Sequence, residues 1–392
     1  MYSVKGIYNN GNDCYINATL QCLAVSPFII DFINNYKKND KEMINIIIKY
    51  KLGSNKANTI NIEADKLIKS KKTLSIPDED IKYLEYISKN SYLLYLYLSF
   101  KNIIVNINDT TDNKTLSNKE FIRMNYELAE HFGYDYLFNG DQNDPHEFMA
   151  YLLDKLHDSK KISKKMSNFN NLELDDYTKL YYTNYKSTYE NNYSLFVKNF
   201  YYYVLTAIQC NKCKHISNAV SPSDILCLSI PDEFLNKSII NNNLTIYNCL
   251  NDMFKVENIQ YKCEKCNNYE NNIMEKQILT KTKTLILKIK RYYTLGNRIV
   301  KNNQNVKYPI VLNMKPYIVG DSLLNYELYG IINHVGGLNS GHYYSFIRKY
   351  NEKNNKFDKQ WYCCNDSQIT EISNEEALTS ENAYILFYNL IE

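Results

Sequence analysis

The sequence predicts an α+β fold, and three observations predict it. Apolar residues recur at helical spacing through the first part of the chain. From about residue 195 they alternate as in strands. No segment repeats, so helices and strands are grouped rather than interleaved. With 392 residues, 44% of them hydrophobic, the chain can bury a large core as two or three domains or as one multi-lobed domain.

The first helix is expected at Tyr15–Leu23, where Ile16, Leu20 and Leu23 share one face. Ser26 followed by Pro27 marks a second helix start. Residues 36–118 are rich in Lys, Asn and Ile, with short helical patterns and few turn signals before Asp109–Asn113. They are either a variable insertion or further helices of the first part, and nothing in them points to chemistry. Residues 120–157 read as helical, with Phe148, Leu152, Leu153 and Leu156 in one stripe and Glu147 and Asp154 off it. Residues 158–192 are polar and read as a loop or linker. Strands are expected at Tyr201–Leu205, Thr284–Lys290, Tyr326–Asn333, Tyr343–Arg348, Gln360–Cys364 and Ala383–Tyr388.

Charge and composition narrow the function. A net charge of +3, from 46 basic and 43 acidic side chains, gives no electrostatic reason to expect nucleic-acid binding. No N-terminal run resembles a signal peptide, and no apolar stretch approaches the ~20 residues of a membrane span. Ten cysteines are too sparse for a disulfide scaffold. The expectation is a soluble, intracellular protein of a eukaryotic cell or its host, in the cytoplasm or nucleus. The abundance of Tyr, at 38 residues, reads as a coding bias rather than a functional signal.

Cys14 is the most informative residue. It directly precedes the first helical pattern, where unpaired backbone N–H groups and the helix dipole favour an anion. A thiol nucleophile needs a base, and the base needs an orienting partner. His342, in Gly-Gly-Leu-Asn-Ser-Gly-His-Tyr-Tyr (336–344), lies at a strand start behind three glycines. Asn365 and Asp366 end the strand that begins near Trp361, and they offer an amide and a carboxylate to an imidazole. His131, His146 and His157 read as exposed or helix-packing, and Cys22, Cys227, Cys249, Cys363 and Cys364 as core or strand residues.

Two Cys-x-x-Cys pairs, Cys210/Cys213 and Cys263/Cys266, lie 49 residues apart. Four thiolates in tetrahedral geometry suit a structural Zn²⁺ and leave no open position for catalysis. The gap fits two long strands pairing knuckle to knuckle, with Tyr201–Cys210 leading out and Met274–Ile289 leading back. His215 is a weaker candidate ligand. A zinc-ribbon nucleic-acid binder is the alternative that near-neutral charge disfavours.

Taken in order, these segments resemble the ubiquitin-specific proteases, a papain-like deubiquitinase family. Gly6–Gln21 resembles its cysteine box, and Gln142–Phe148 its Gln-Asp box. Leu287–Tyr292 resembles a palm strand, and Tyr326–Tyr344 the histidine box. Trp361–Ser367 and Ala383–Tyr388 resemble the closing strands. The resemblance covers residues 6 to 388. It implies one catalytic domain over 1–392: a helical thumb over 1–195 with 36–118 as its insertion, zinc-bearing β fingers over 196–290, and a β-sheet palm over 291–392.

Roles follow from the resemblance position by position. Cys14 corresponds to the nucleophile, His342 to the general base and acid, and Asn365 to the third triad member. Asp366 corresponds to a supporting carboxylate and Asn9 to the oxyanion-hole amide. His334 is expected to pack near the site without doing chemistry. The implied reaction is hydrolysis after the C-terminal glycine of ubiquitin through a thioester. The implied partners are ubiquitin and ubiquitinated proteins, bound by a monomer whose Gly336–Ser340 loop moves to admit the ubiquitin tail. A non-catalytic ubiquitin-binding scaffold and a protease for a ubiquitin-like modifier are the alternatives. The sequence departs from the family at Asp13, where Thr is usual, and at Asn143 and Pro145, where Gln and Ala are usual. A carboxylate at position 13 opposes an anion on Cys14 unless it points into solvent.

Overall fold

A computed structural model describes residues 4–52, 57–112, 114–167, 175–234, 244–296, 298–320, 324–337 and 340–391. Asn113 of the expected turn, positions 168–174 of the expected linker, and Leu338 and Asn339 of the Gly336–Ser340 loop lie outside these residues. The chain divides into two compact units, Met1–Lys160 with His342–Glu371, and Lys161–Gly341 with Ile372–Glu392.

The first unit is built around the helix Cys14–Ala24. All of its residues are buried, not only the face of Ile16, Leu20 and Leu23. Its buried polar side chains donate inward: Gln21 Nε2 to the Lys5 carbonyl at 2.8 Å, and Thr19 Oγ1 to the Tyr15 carbonyl at 2.7 Å. The helix Pro27–Asn35 follows, with Ser26 and Pro27 at its start as expected.

Residues 36–118 form the helices Lys37–Lys49, Ala57–Lys69, Lys71–Leu74 and Asp78–Asn108. The last is kinked at Asn90, whose Nδ2 bonds the Tyr86 carbonyl at 3.0 Å. Ile46, Ile60, Ala64, Leu84, Ile87 and Leu94 give these helices an apolar cluster of their own. Asp40, almost fully buried, is held by the Tyr97 hydroxyl at 2.6 Å and by the Lys101 ammonium. A buried carboxylate without such partners would be strongly destabilising.

The helical region 120–157 is two helices, Lys119–Phe132 and Pro145–Ser159. Gly133, at φ 77°, ends the first, and Asp144 caps the second by accepting from His146 N–H at 2.8 Å. Phe148 is fully buried and meets Tyr15, Phe121 and Phe138 edge-on at centroid distances of 6.0, 6.5 and 5.9 Å. The strands Gly341–Asn351 and Lys356–Asn365 pair antiparallel, with Ser345 opposite Cys364 and Arg348 opposite Trp361.

The second unit corrects one expectation. Within 158–192, Asp176–Tyr189 is a helix, capped by the Asp175 carboxylate on Thr178 N–H at 2.9 Å. Its packing face is Tyr181, Tyr185 and Tyr189, which surround Tyr203 at centroid distances of 5.0, 6.1 and 6.5 Å. Tyrosine bodies bury like apolar residues while their hydroxyls read as polar, so the sequence pattern hid this face.

Two larger sheets complete this unit. One is four-stranded and antiparallel, in the order Ile216–Ser223, Tyr202–Gln209, Tyr269–Ile278, Glu257–Lys262. In the other, Asn325–Gly336, Ala383–Leu390, Thr284–Lys290 and Ile225–Ser229 lie side by side, the last pair parallel. The expected return strand Met274–Ile289 is thus two strands in two sheets. The break falls where Thr282 Oγ1 turns inward to bond the Asn199 carbonyl at 2.6 Å. Buried Arg291, just after Thr284–Lys290, donates to the carbonyls of Ala383, Asn302 and Gln304 at 2.8, 3.2 and 2.9 Å.

Candidate active site

Residues 6–8 run as an extended segment between two partners. Tyr8 N–H donates to Leu116 O and Leu116 N–H to Gly6 O, both at 2.8 Å, on one side. Ile7 N–H donates to Asp366 O at 2.8 Å on the other. This segment delivers the loop 9–13 to the start of the helix Cys14–Ala24. Cys14 is the first residue of that helix, with Asp13 at the cap position, and its side chain is buried.

The expected residues of the first unit come together there. The Cys14 thiol lies close enough to the His342 imidazole to be the largest influence on its pKa. His342 Nε2 meets Asn365 Oδ1 at 2.6 Å, so Nε2 carries a proton and Nδ1 is the nitrogen left for the thiol. Cys14 raises the imidazole pKa most, to about 9, against a desolvation that lowers it; Asn365 and the charge of Asp366 add to the rise. Asp366 Oδ2 lies 3.9 Å from His342 Nε2.

Asn9 is fixed in one orientation. Its Oδ1 accepts from the N–H groups of Gly11 and Asp13, each at 3.1 Å, which turns Nδ2 toward Asp366 Oδ2 at 3.0 Å. Asp366 is held at φ 50° in the turn after its strand, and its Oδ1 accepts from Asn17 Nδ2 at 2.8 Å. Gln142 and Asn12 also meet, Nε2 to Oδ1, at 3.5 Å.

Asp13 does not point into solvent. It is buried and accepts from Asn10 N–H at 3.2 Å. Burial pushes its carboxyl pKa up, while Asn10 and the Asn118 side chain hold it down. Sequence reasoning missed Asn17 and Asn118. Asn17 carried a signal, since it sits three residues after Cys14 and so one helical turn along. Asn118 carried none, because it lies 104 positions from Cys14 in a segment with no other chemical residue.

The remaining histidines and cysteines differ in setting. His334 is buried against the Tyr292 hydroxyl, 3.4 Å from its Nδ1. His131 stacks on Tyr92 at 4.3 Å, and His157 is buried in its helix. Burial pushes the Cys249 thiol up to about 12 and the Cys364 thiol well above the usual range. Cys22 is buried, and Cys227 and Cys363 are half-buried strand residues.

The second unit holds a metal-competent cluster. The sulfurs of Cys210, Cys213, Cys263 and Cys266 all lie within 4.8 Å of one another. Cys210 and Cys266 are 3.7 Å apart, and Cys213 and Cys263 are 3.6 Å apart. Tetrahedral sulfurs at a Zn–S distance of about 2.3 Å would stand about 3.8 Å from each other, so the four fit such a group. Each pair sits on the same knuckle. Lys214 N–H bonds Cys210 O and Asn267 N–H bonds Cys263 O, both at 2.9 Å, with Lys214 at φ 60° and Asn267 at φ 56°. Each knuckle is the tip of a hairpin in the four-stranded sheet, so the cluster is carried by two hairpins and not by the two long strands expected. His215 offers its backbone carbonyl to Cys210 N–H at 2.8 Å and is not among the four clustered ligands.

Comparison with known proteins agrees with this picture. The family model described as ubiquitin carboxyl-terminal hydrolase matches residues 5–388. Ubiquitin carboxyl-terminal hydrolase 8 of Saccharomyces cerevisiae is 24% identical, covering 99% of this chain and 70% of that protein. A probable ubiquitin carboxyl-terminal hydrolase of Acanthamoeba polyphaga mimivirus is 25% identical, covering 99% of this chain and 90% of its own length. Ubiquitin carboxyl-terminal hydrolase 4 of Saccharomyces cerevisiae is 26% identical over 64% of this chain, and the match spans only 29% of that longer protein. Among solved structures, the SAGA Ubp8/Sgf11/Sus1/Sgf73 DUB module bound to ubiquitin aldehyde shares the fold. Its TM-score is 0.64 at 22% identity, covering 100% of this chain and 70% of that one. The match over 5–388, on a chain whose fold follows it from end to end, means that this protein belongs to the ubiquitin carboxyl-terminal hydrolase family.

Proposed function

We propose that the protein is a cysteine-type deubiquitinase that hydrolyses the isopeptide or peptide bond after the C-terminal glycine of ubiquitin. The observation that carries this reading is Cys14 at the first position of its buried helix, beside a His342 that is bonded to Asn365 at 2.6 Å, in a chain of this family. His342 takes the thiol proton and the Cys14 sulfur attacks the glycine carbonyl carbon. The resulting oxyanion meets the Asn9 amide and backbone N–H groups near Cys14; one such donor is worth about 2.7–4 kcal/mol of barrier. The C–N bond then breaks, and the amine leaves with the proton from His342. Water, deprotonated by His342, hydrolyses the thioester and frees the ubiquitin carboxylate. Asn365 keeps the imidazole in its tautomer, and Asp366 aims Asn9.

Residues 1–195, 196–290 and 291–392 serve in this reading as thumb, fingers and palm. The four cysteines hold a structural Zn²⁺ that stiffens the fingers and takes no part in the chemistry. Ubiquitin is the partner, as for the neighbour bound to ubiquitin aldehyde. None of the ten cysteines is paired in a disulfide, which fits an intracellular, reducing setting.

The test is incubation with ubiquitin bearing a C-terminal electrophile. A one-to-one covalent adduct on Cys14 is expected. No adduct from the wild-type protein, or one that persists in Cys14→Ala, would remove the proposal. Binding of ubiquitin without adduct or turnover would leave the scaffold reading in its place.

A further inference from the structure

The helix Lys119–Phe132 starts at Asn118, a residue type that ordinarily caps a helix with its side chain. Here it makes no cap hydrogen bond, and its side chain is fully buried. Its amide points instead into the loop beside Cys14. Oδ1 accepts from Asn10 Nδ2 at 2.6 Å, and Nδ2 donates to Asn17 Oδ1 at 2.9 Å. The same side chain helps hold the pKa of the buried Asp13 carboxyl down. Both ends of the side-chain amide, the acceptor and the donor, are thus committed to residues flanking the nucleophile.

We propose that Asn118 is a positioning residue for the hydrolase site, bracing the loop 9–13 through Asn10 and the site carboxylate Asp366 through Asn17. This rests on the deubiquitinase reading for its consequence in catalysis, though not for its geometry. Backbone bonds between Leu116 and residues 6 and 8 bring Asn118 to the loop. From there the contacts run Asn118 to Asn17, Asn17 to Asp366 at 2.8 Å, and Asp366 to Asn9 at 3.0 Å. Loss of the Asn118 amide leaves the Asn17 oxygen without its donor and removes the acceptor of the Asn10 amide, in the loop that leads to the thiol. Buried groups that lose partners move to find others or water. The groups that would move are those that orient Asn9 and flank Cys14. The segment that closes 36–118 thereby supplies a part of the site that its composition concealed.

The experiment compares wild type, Asn118→Ala, Asn10→Ala and the double variant in two assays. One is kcat and KM for release of a fluorophore from the ubiquitin C-terminus. The other is the rate of alkylation of Cys14 by iodoacetamide, mapped by mass spectrometry, which needs no ubiquitin. Asn118→Ala is expected to lower kcat by about 10- to 100-fold, the range for misplacing reacting groups by a fraction of an ångström to one ångström. KM should stay within about twofold, and the double variant should be no slower than Asn118→Ala alone, because both single changes cut one brace. Asn10 is exposed, so Asn10→Ala retains the fold and carries the test if Asn118→Ala does not fold. If wild type is inactive on ubiquitin, the deubiquitinase reading fails, and slower Cys14 alkylation in the variants still supports the brace. Variants within about twofold of wild type in both assays would overturn it, as would losses in Asn10→Ala and Asn118→Ala that multiply in the double variant.

Discussion

Gly6→Ala should damage stability and activity together, and the structure sets the size of both. Gly6 lies against Ser367. A Cβ there would stand 2.3 Å from the Ser367 carbonyl oxygen, 2.6 Å from its carbon and 2.9 Å from its Cα, where ordinary contact begins near 3.4 Å. The obstructing atoms are backbone, so no rotamer change relieves them, and the two segments must part by about 1 Å. The bond from Ile7 N–H to Asp366 O, now 2.8 Å, would stretch toward about 3.8 Å and be lost. Overpacking costs about 1–3 kcal/mol and the lost bond about 1 kcal/mol, so unfolding free energy should fall by about 2–4 kcal/mol. The displaced strand end carries Asn365 and Asp366, so kcat should fall by about a hundredfold. Urea unfolding and fluorophore release from the ubiquitin C-terminus measure the two effects. Gly11→Ala is the control for stability: nothing lies within 4 Å of its added methyl, and its cost should stay below about 1 kcal/mol. A Gly6→Ala protein with wild-type stability and wild-type kcat would refute the reasoning.

Three further outcomes follow from the same geometry. The His342 pKa is raised from 6.5 to about 9, chiefly by the Cys14 thiol. The stabilisation from that interaction is complete below about pH 6.5 and is lost as pH rises through about 9, so kcat/KM should show an alkaline limb near 9. In Cys14→Ala, an imidazole NMR titration should give a markedly lower value; an unchanged titration would mean that the thiol is not the cause. Stripping the four-cysteine site with a chelator, or Cys263→Ser, should abolish one-to-one zinc and speed amide exchange in Tyr202–Gln209 and Tyr269–Ile278. Zinc content that survives Cys263→Ser would contradict the ligand assignment. Arg291→Met leaves three buried carbonyls without their donor and should cost about 3–5 kcal/mol by urea denaturation. A cost below about 1 kcal/mol would show that the carbonyls find other partners.

The candidate residues of the site stand out one by one because each combines a reactive side chain with a local signal. Cys14 precedes a helical pattern, His342 follows glycines at a strand start, and the Cys-x-x-Cys pairs announce a metal knuckle by spacing alone. The strand Thr284–Lys290 has the expected bounds, since alternation of buried apolar residues is a local property. The helix Asp176–Tyr189 was not legible, because its packing face is tyrosine and its partner, Tyr203, is defined only by folding.

By itself, then, the order of residues determined the α+β class and singled out Cys14, His342 and Asn365 as candidates for the site and four cysteines as candidate metal ligands. Tertiary structure decided where Asp13 points, which amides restrain Asn9, and that Asn118 reaches Asn10 of the loop from across 108 positions of chain. The physical reason is that an amide or a buried carboxylate has no periodicity of its own. Its role is set by which donors and acceptors the packed backbone brings within about 3 Å, and that distance exists only after the chain has closed on itself.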